Sequence, residues 1–350
     1  MLDSLGLEIA PRAASLWAGL LIGLAFGALA EASRFCLRRA VAGDPGERTA
    51  AGGVWLTALA TAILGTTALQ AAGVLDLSDH RFLSTGIPVL AILAGGLMFG
   101  AGMVLARGCA ARLTVLAATG NLRAAFVVLL LAVTAHATMK GILATLPQTL
   151  GAFTLPVPHL ASLPLGGWLA PLALAAIAWR LRPGLTGALQ GAAIGALVPA
   201  AWAATGWLLA DDFDPIALES LSFTAPAAET LFWTLAATAL EPGFGIGLML
   251  GTLLGAALSA RTAGRAHWVS FTSPRETGRY AAGAVLMGAG GVLAGGCTVG
   301  AGLSGVSALS TAAVLALAAT IAGARATAAL SASRAGSAAP SPRQAPQPAE

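Results

Sequence analysis

The chain has 350 residues, of which 57% are hydrophobic and only 10% charged, with a mean hydropathy of +0.81. An ordinary soluble domain carries about 25% charged residues, so this composition excludes a water-soluble globular protein. The formal charge of +4 comes from loop arginines, which report membrane orientation rather than binding to nucleic acid.

The first fifteen residues hold Asp3, Glu8 and Pro11 and lack a basic stretch followed by a small-residue cleavage site, so Trp17 onward is read as a first true span. Apolar runs then recur near 16–33, 52–72, 87–106, 122–142, 165–180, 186–208, 243–260, 280–296 and 307–330. Most approach the roughly 17–25 residues that cross a hydrocarbon core. The 44 glycines, with many alanines, suit close helix packing in lipid. The predicted architecture is all-α and polytopic: about nine hydrophobic helices in one transmembrane domain over 1–330, with re-entrant half helices. The segment 331–350, rich in Ala, Ser, Pro and Gln, is expected to be a disordered tail.

Arginines sort the loops into two faces. Arg38, Arg39, Arg48, Arg180, Arg182, Arg261, Arg265, Arg275, Arg279 and the tail are assigned to the cytoplasm. The acidic stretches, Asp76 with Asp79 and then Asp211, Asp212, Asp214, Glu219, Glu229 and Glu241, are assigned outside. The Pro147–Pro164 stretch carries no motif.

Gly100–Cys109, GAGMVLARGC, matches Gly288–Cys297, GAGGVLAGGC, at eight of ten positions without a gap. A lone transmembrane cysteine is by default a small buried hydrophobe. Here the match superimposes two of only three cysteines. The first copy follows an acidic loop and the second a basic one, so the two regions, around 87–142 and 280–330, are expected to enter from opposite faces as an inverted repeat. Each cysteine is preceded by glycine, Gly108 or Gly296, and followed by a stretch too short to cross, Ala110–Thr119 or Thr298–Ser307. Backbone N–H groups freed at such breaks suit an anion. Cys36 follows the first span within Arg34–Arg39. Arg34, Arg107, Arg112 and Lys140 are candidate anion-attracting or path-lining groups, with Gly100, Gly108, Gly288 and Gly296 as path-lining glycines. His136 reads as an interhelical hydrogen-bonding group, and Glu31 as the partner of an unidentified base.

Other uses of the thiols remain open at this point. Three thiols can hold a soft metal such as Cu(I), but neither a C-x-x-C pair nor a His-rich run accompanies them. A membrane thiol redox enzyme would also call for a paired C-x-x-C. The glycine run Gly243–Gly247 lacks the Gly-Lys-Ser/Thr of a phosphate loop, so neither ATP nor another cofactor is expected.

Arg34–Phe35–Cys36 together with the two GxGxxxxxGC segments, Gly100–Cys109 and Gly288–Cys297, resembles the YeeE/YedE sulfur-transport family over roughly Leu16 to Leu330. The resemblance implies an hourglass-shaped bacterial inner-membrane transporter, not an enzyme. It would pass thiosulfate over Cys36, Cys109 and Cys297 and hand it to a cytoplasmic sulfur carrier of the TusA type. The tail would be cytoplasmic. Arg107 and Arg112 correspond to Gly295 and Gly300 in the second copy, so the two ends of the path differ in charge. For this role the thiols stay protonated, since thiolates would repel a dianion.

Overall fold

The computed structural model describes residues 10–162, 165–211 and 215–337. Asp3, Glu8, Asp212, Asp214 and the tail beyond Ser337 lie outside the described residues. The chain is built of helices: α1 Pro11–Ser33, α2 Leu37–Ala42, α3 Pro45–Ala71, α4 Val89–Leu105, α5 Ala110–Ala118, α6 Leu122–Lys140 and α7 Thr145–Gly151. There follow α8 Gly166–Arg180, α9 Gly184–Ala203, α10 Ala225–Leu235, α11 Phe244–Thr262, α12 Pro274–Leu293 and α13 Thr311–Ser337. One short antiparallel pairing, Gly86–Ile87 with Leu155–Pro156, closes the end where α4 begins.

All nine predicted segments are helical, but among the described residues seven candidate spans are long and apolar enough to cross a membrane. α8 has only 15 residues, about 22 Å of helix. α12 opens on Arg275, Glu276 and Arg279. Helix α13 continues to Ser337, past Ser331 where the composition turns polar and a disordered tail was expected.

Close approach of small residues sets the packing. α1 and α11 run parallel: Gly19, Gly23 and Gly27 face the carbonyls of Phe244, Leu248 and Thr252, while Gly247, Gly251 and Gly255 face those of Leu16, Leu20 and Leu24. A Cβ at any of the six would overlap a backbone oxygen. In lipid no hydrophobic force draws two helices together, so backbone proximity supplies the contact energy instead.

α3 packs in the same way on α9, with Gly191 and Gly195 facing the Val54 and Ala58 carbonyls. α4 lies parallel to α13, and α12 to α6. α4 and α12 cross antiparallel, Gly95 meeting Gly290 and Gly102 meeting Gly283. The two motif segments therefore run in opposite directions, as their flanking charges suggested. The stretch from Pro147 to Ser162 folds over the closed end, where the Thr311 hydroxyl donates to Pro158 O at 2.8 Å and His159 Nε2 lies 3.0 Å from Ser84 O; the rest of the motif-free stretch lies outside the described residues.

Gly23→Leu or Gly251→Leu is expected to destabilise the protein by at least about 1–3 kcal/mol, the usual range for overpacking. Leu21→Phe, on the exposed side of α1, should be neutral. The thermal midpoint of the detergent-purified protein decides; an unchanged midpoint in both glycine variants would contradict the packing.

Candidate functional site

Three helix breaks share one backbone geometry. α1 ends on Arg34 in the left-handed region, φ 51°. The Arg34 N–H donates to Glu31 O at 3.3 Å and the Phe35 N–H to Ala30 O at 3.1 Å. α4 ends alike: Arg107 has φ 57°, its N–H donates to Val104 O at 3.3 Å, and the Gly108 N–H donates to Met103 O at 3.0 Å. At the end of α12, Gly295 has φ 75° and donates to Val292 O at 3.2 Å. This closure satisfies the last carbonyls of a helix. Two residues after each left-handed residue comes a cysteine. Cys36 caps α2, Cys109 caps α5, and Cys297 precedes a π-helical turn, Gly300–Gly305.

Each sulfur then faces the backbone N–H three residues on: Arg39 for Cys36, Arg112 for Cys109, and Gly300 for Cys297 at 3.3 Å. All three cysteines are free and buried, with 5%, 2% and 1% of their surface exposed. The Cys36 and Cys109 side chains meet. The Thr298 hydroxyl faces the Cys109 sulfur without the geometry of a full hydrogen bond, and it is buried with no other partner. A line therefore runs from Cys297, through its neighbour Thr298, to the Cys109–Cys36 pair.

Charge around this line is unevenly placed. Glu31, 7% exposed, accepts from Arg265 Nε at 2.8 Å, from Arg265 Nη2 at 2.5 Å and from the Ser259 hydroxyl at 2.8 Å. Arg265 is thus the partner that the sequence left unidentified. Arg112 donates to Ala30 O at 3.2 Å, and its charge acts on both Cys36 and Cys109. With Glu31 neutralised from the other side, the thiol pair lies in a net positive field.

At the other end, a cavity of about 720 Å³ reaches Gly300 and Ser304 of the turn after Cys297. Ser304 donates to Leu221 O at 2.8 Å and tethers this turn to the loop before α10.

The remaining expected site residues are more scattered. Gly108 and Gly296 adjoin the thiols; a Cβ on Gly296 would stand 2.7 Å from Ala301 N. Gly100 and Gly288 lie at helix contacts, against Thr320 of α13 and Leu131 of α6. Arg34 and Arg107 are exposed beside the breaks, and Lys140 is exposed in the last turn of α6. His136 stacks on Phe232 with centroids 4.9 Å apart.

Sequence reasoning passed over Thr298 and Thr224. Thr224 caps α10 and follows Phe223, as Cys36 caps α2 and follows Phe35. Its hydroxyl is also buried without a partner. One shared phenylalanine before a helix start was too little to single out this hydroxyl.

Helices of spanning length, broken at buried free thiols, define a multi-pass α-helical membrane protein with a sulfur-lined interior. The family model described as sulphur transport matches residues 32–326, and the chain belongs to that family, the YeeE/YedE sulphur transport family. Among curated proteins, none matches the chain.

Mild oxidation of the purified protein is expected to join Cys36 to Cys109 and leave Cys297 reduced, as read by peptide mass spectrometry. A cross-link dominated by Cys297 would contradict the arrangement of the thiols.

Proposed function

We propose that the protein takes up thiosulfate across the bacterial inner membrane, from the outer cavity past Cys297 and Thr298 to Cys109 and Cys36. The observation that carries this reading is the run of three free, buried thiols leading from the cavity floor to the arginine-rich face.

A dianion stripped of water in hydrocarbon meets a prohibitive desolvation cost, so donors must replace its hydration along the whole path. Thiols and a free hydroxyl are weak donors, and weak sites in series let an ion enter and leave. Arg112 supplies attraction at the inner pair. Arg34 and Arg107, exposed beside two of the breaks, draw the anion on toward the cytoplasm, and Lys140 adds positive charge at the outer end. The face around Arg34, Arg38 and Arg39 is where a cytoplasmic sulfur carrier of the TusA type would collect the product.

The reading includes an inverted repeat that pairs α1–α6 with α9–α13 and narrows at the thiols to an hourglass. Reciprocal packing supports it: α1 on α11 mirrors α9 on α3, α4 on α13 mirrors α12 on α6, and α4 on α12 is its own mirror. Under that symmetry Thr224 takes the place of Cys36. The C-terminal tail then follows α13 to the cytoplasmic face.

A cell that lacks sulfur uptake should grow on thiosulfate when it expresses the protein. Cys36→Ala, Cys109→Ala and Cys297→Ala, checked for expression, should each cut the growth rate at least tenfold. Equal rescue by all expressed variants would make the cysteines packing residues and overturn the relay. Arg112→Gln should impair growth more than Arg112→Lys, because the lysine keeps the charge.

A further inference from the structure

The outer cavity presents a conflict for an anion. Among the described residues its ionisable lining consists of Asp76, Asp79, His80 and Arg81 on the loop after α3, Glu219 on the loop before α10, and Glu229 on α10. From α6 only Met139 reaches it, and the turn after Cys297 adds Gly300 and Ser304, which carry no charge. With every carboxyl ionised, four negative charges oppose the single guanidinium, and a dianion would be turned away.

Two of those acids are enclosed opposite the base. Arg81 lies over the Phe82 ring, 5.1 Å from its centroid, and among the described residues no ion pair ties it to either glutamate. Its charge nevertheless acts on both Glu219 and Glu229. The Gly245 N–H in the first turn of α11 faces the Glu219 carboxylate. Trp202, 1% exposed, lines the same cavity, and its indole N–H is buried without a partner. An unpaired guanidinium and an unused buried N–H in one cavity are the donor set of an oxyanion site.

We propose that this cavity is an anion-loading site centred on Arg81 and Trp202, and that Glu219 takes up a proton from the outer water as the anion binds. The proposal deepens the thiosulfate reading and rests on it. The one bond formed is O–H on Glu219, and thiosulfate remains a dianion throughout. Burial, with the Glu229 charge beside it, pushes Glu219 up to about 7. His80 is pushed down to about 4 by burial, so it stays neutral over the same range. Asp76 is exposed and held low by the Ser78 N–H, so it stays ionised.

The sign follows from linkage. A bound dianion raises the proton affinity of Glu219 further, so protonation must strengthen anion binding in return. Affinity is therefore highest below the free-site value near 7 and falls as pH rises above it.

Calorimetric titration of the detergent-purified full chain with sodium thiosulfate at pH 6 and pH 8 tests this, with buffers of different ionisation enthalpy to count protons. Binding should be roughly tenfold tighter at pH 6, with close to one proton taken up per anion at pH 8 and almost none at pH 6. Glu219→Gln should remove the pH dependence and keep the tighter affinity. Arg81→Gln should lose binding at both pH values. The proton count needs only the parent protein, so it stands even where a variant fails to fold. Binding without pH dependence or proton uptake overturns this inference and leaves the uptake reading intact. No binding by the parent at either pH also overturns it, and failed growth rescue on thiosulfate would then show that the uptake reading falls with it.

Discussion

A helix cannot stop inside a bilayer unless its last carbonyls find donors, because the hydrocarbon offers none. The rest of this structure depends on how that constraint is met at three breaks. Each helix before a cysteine ends in a left-handed residue, and at Arg34 and Arg107 the N–H groups of that residue and the next return to the final turn. The cysteine that follows is then free to hold its sulfur against the N–H of the next short helix. Glycine contacts between α1 and α11 and between α4 and α12 bring the surrounding backbones close enough to enclose the breaks in protein.

Electrostatics gives the proposed route unlike ends. At the inner end a buried carboxylate, Glu31, is fully occupied by Arg265 and Ser259, which leaves Arg112 to face the thiol pair. Removing Arg265 would leave Glu31 buried and uncompensated, with Arg112 as the nearest cation to claim it. At the outer end Arg81 faces two acids without pairing to either. The thiols between the two ends are neutral when protonated, so on the proposed route charge would be read at the mouths and polarisability along the middle.

The nine apolar runs were legible, because lipid imposes length and hydropathy on every span, and the flanking charges anticipated the antiparallel crossing of α4 and α12. The cysteines were legible through the Gly100–Cys109 and Gly288–Cys297 match. Thr298 was not, since its counterpart in the first copy is Ala110 and nothing in spacing marks a hydroxyl whose role depends on a neighbour 189 residues away in the chain. Arg81 and Glu219 were hidden for a similar reason: the loops that carry them read only as an acidic outer face, and tertiary packing brings them to one cavity. Gly100 and Gly288 stood out in the motif, but they serve helix contacts and not the immediate surroundings of the sulfurs.

Family membership makes sulfur transport the class of activity, and the line of thiols is the physical content of the proposed route. The decisive measurement is entry of radiolabelled thiosulfate into liposomes that contain only the purified protein, with the label on the sulfane sulfur in one experiment and on the sulfonate sulfur in the other. A relay of the intact anion predicts equal entry of both labels, reduced to the protein-free rate by Cys109→Ala. Entry of the sulfane label alone, or undiminished entry in the Cys109 variant, would contradict it.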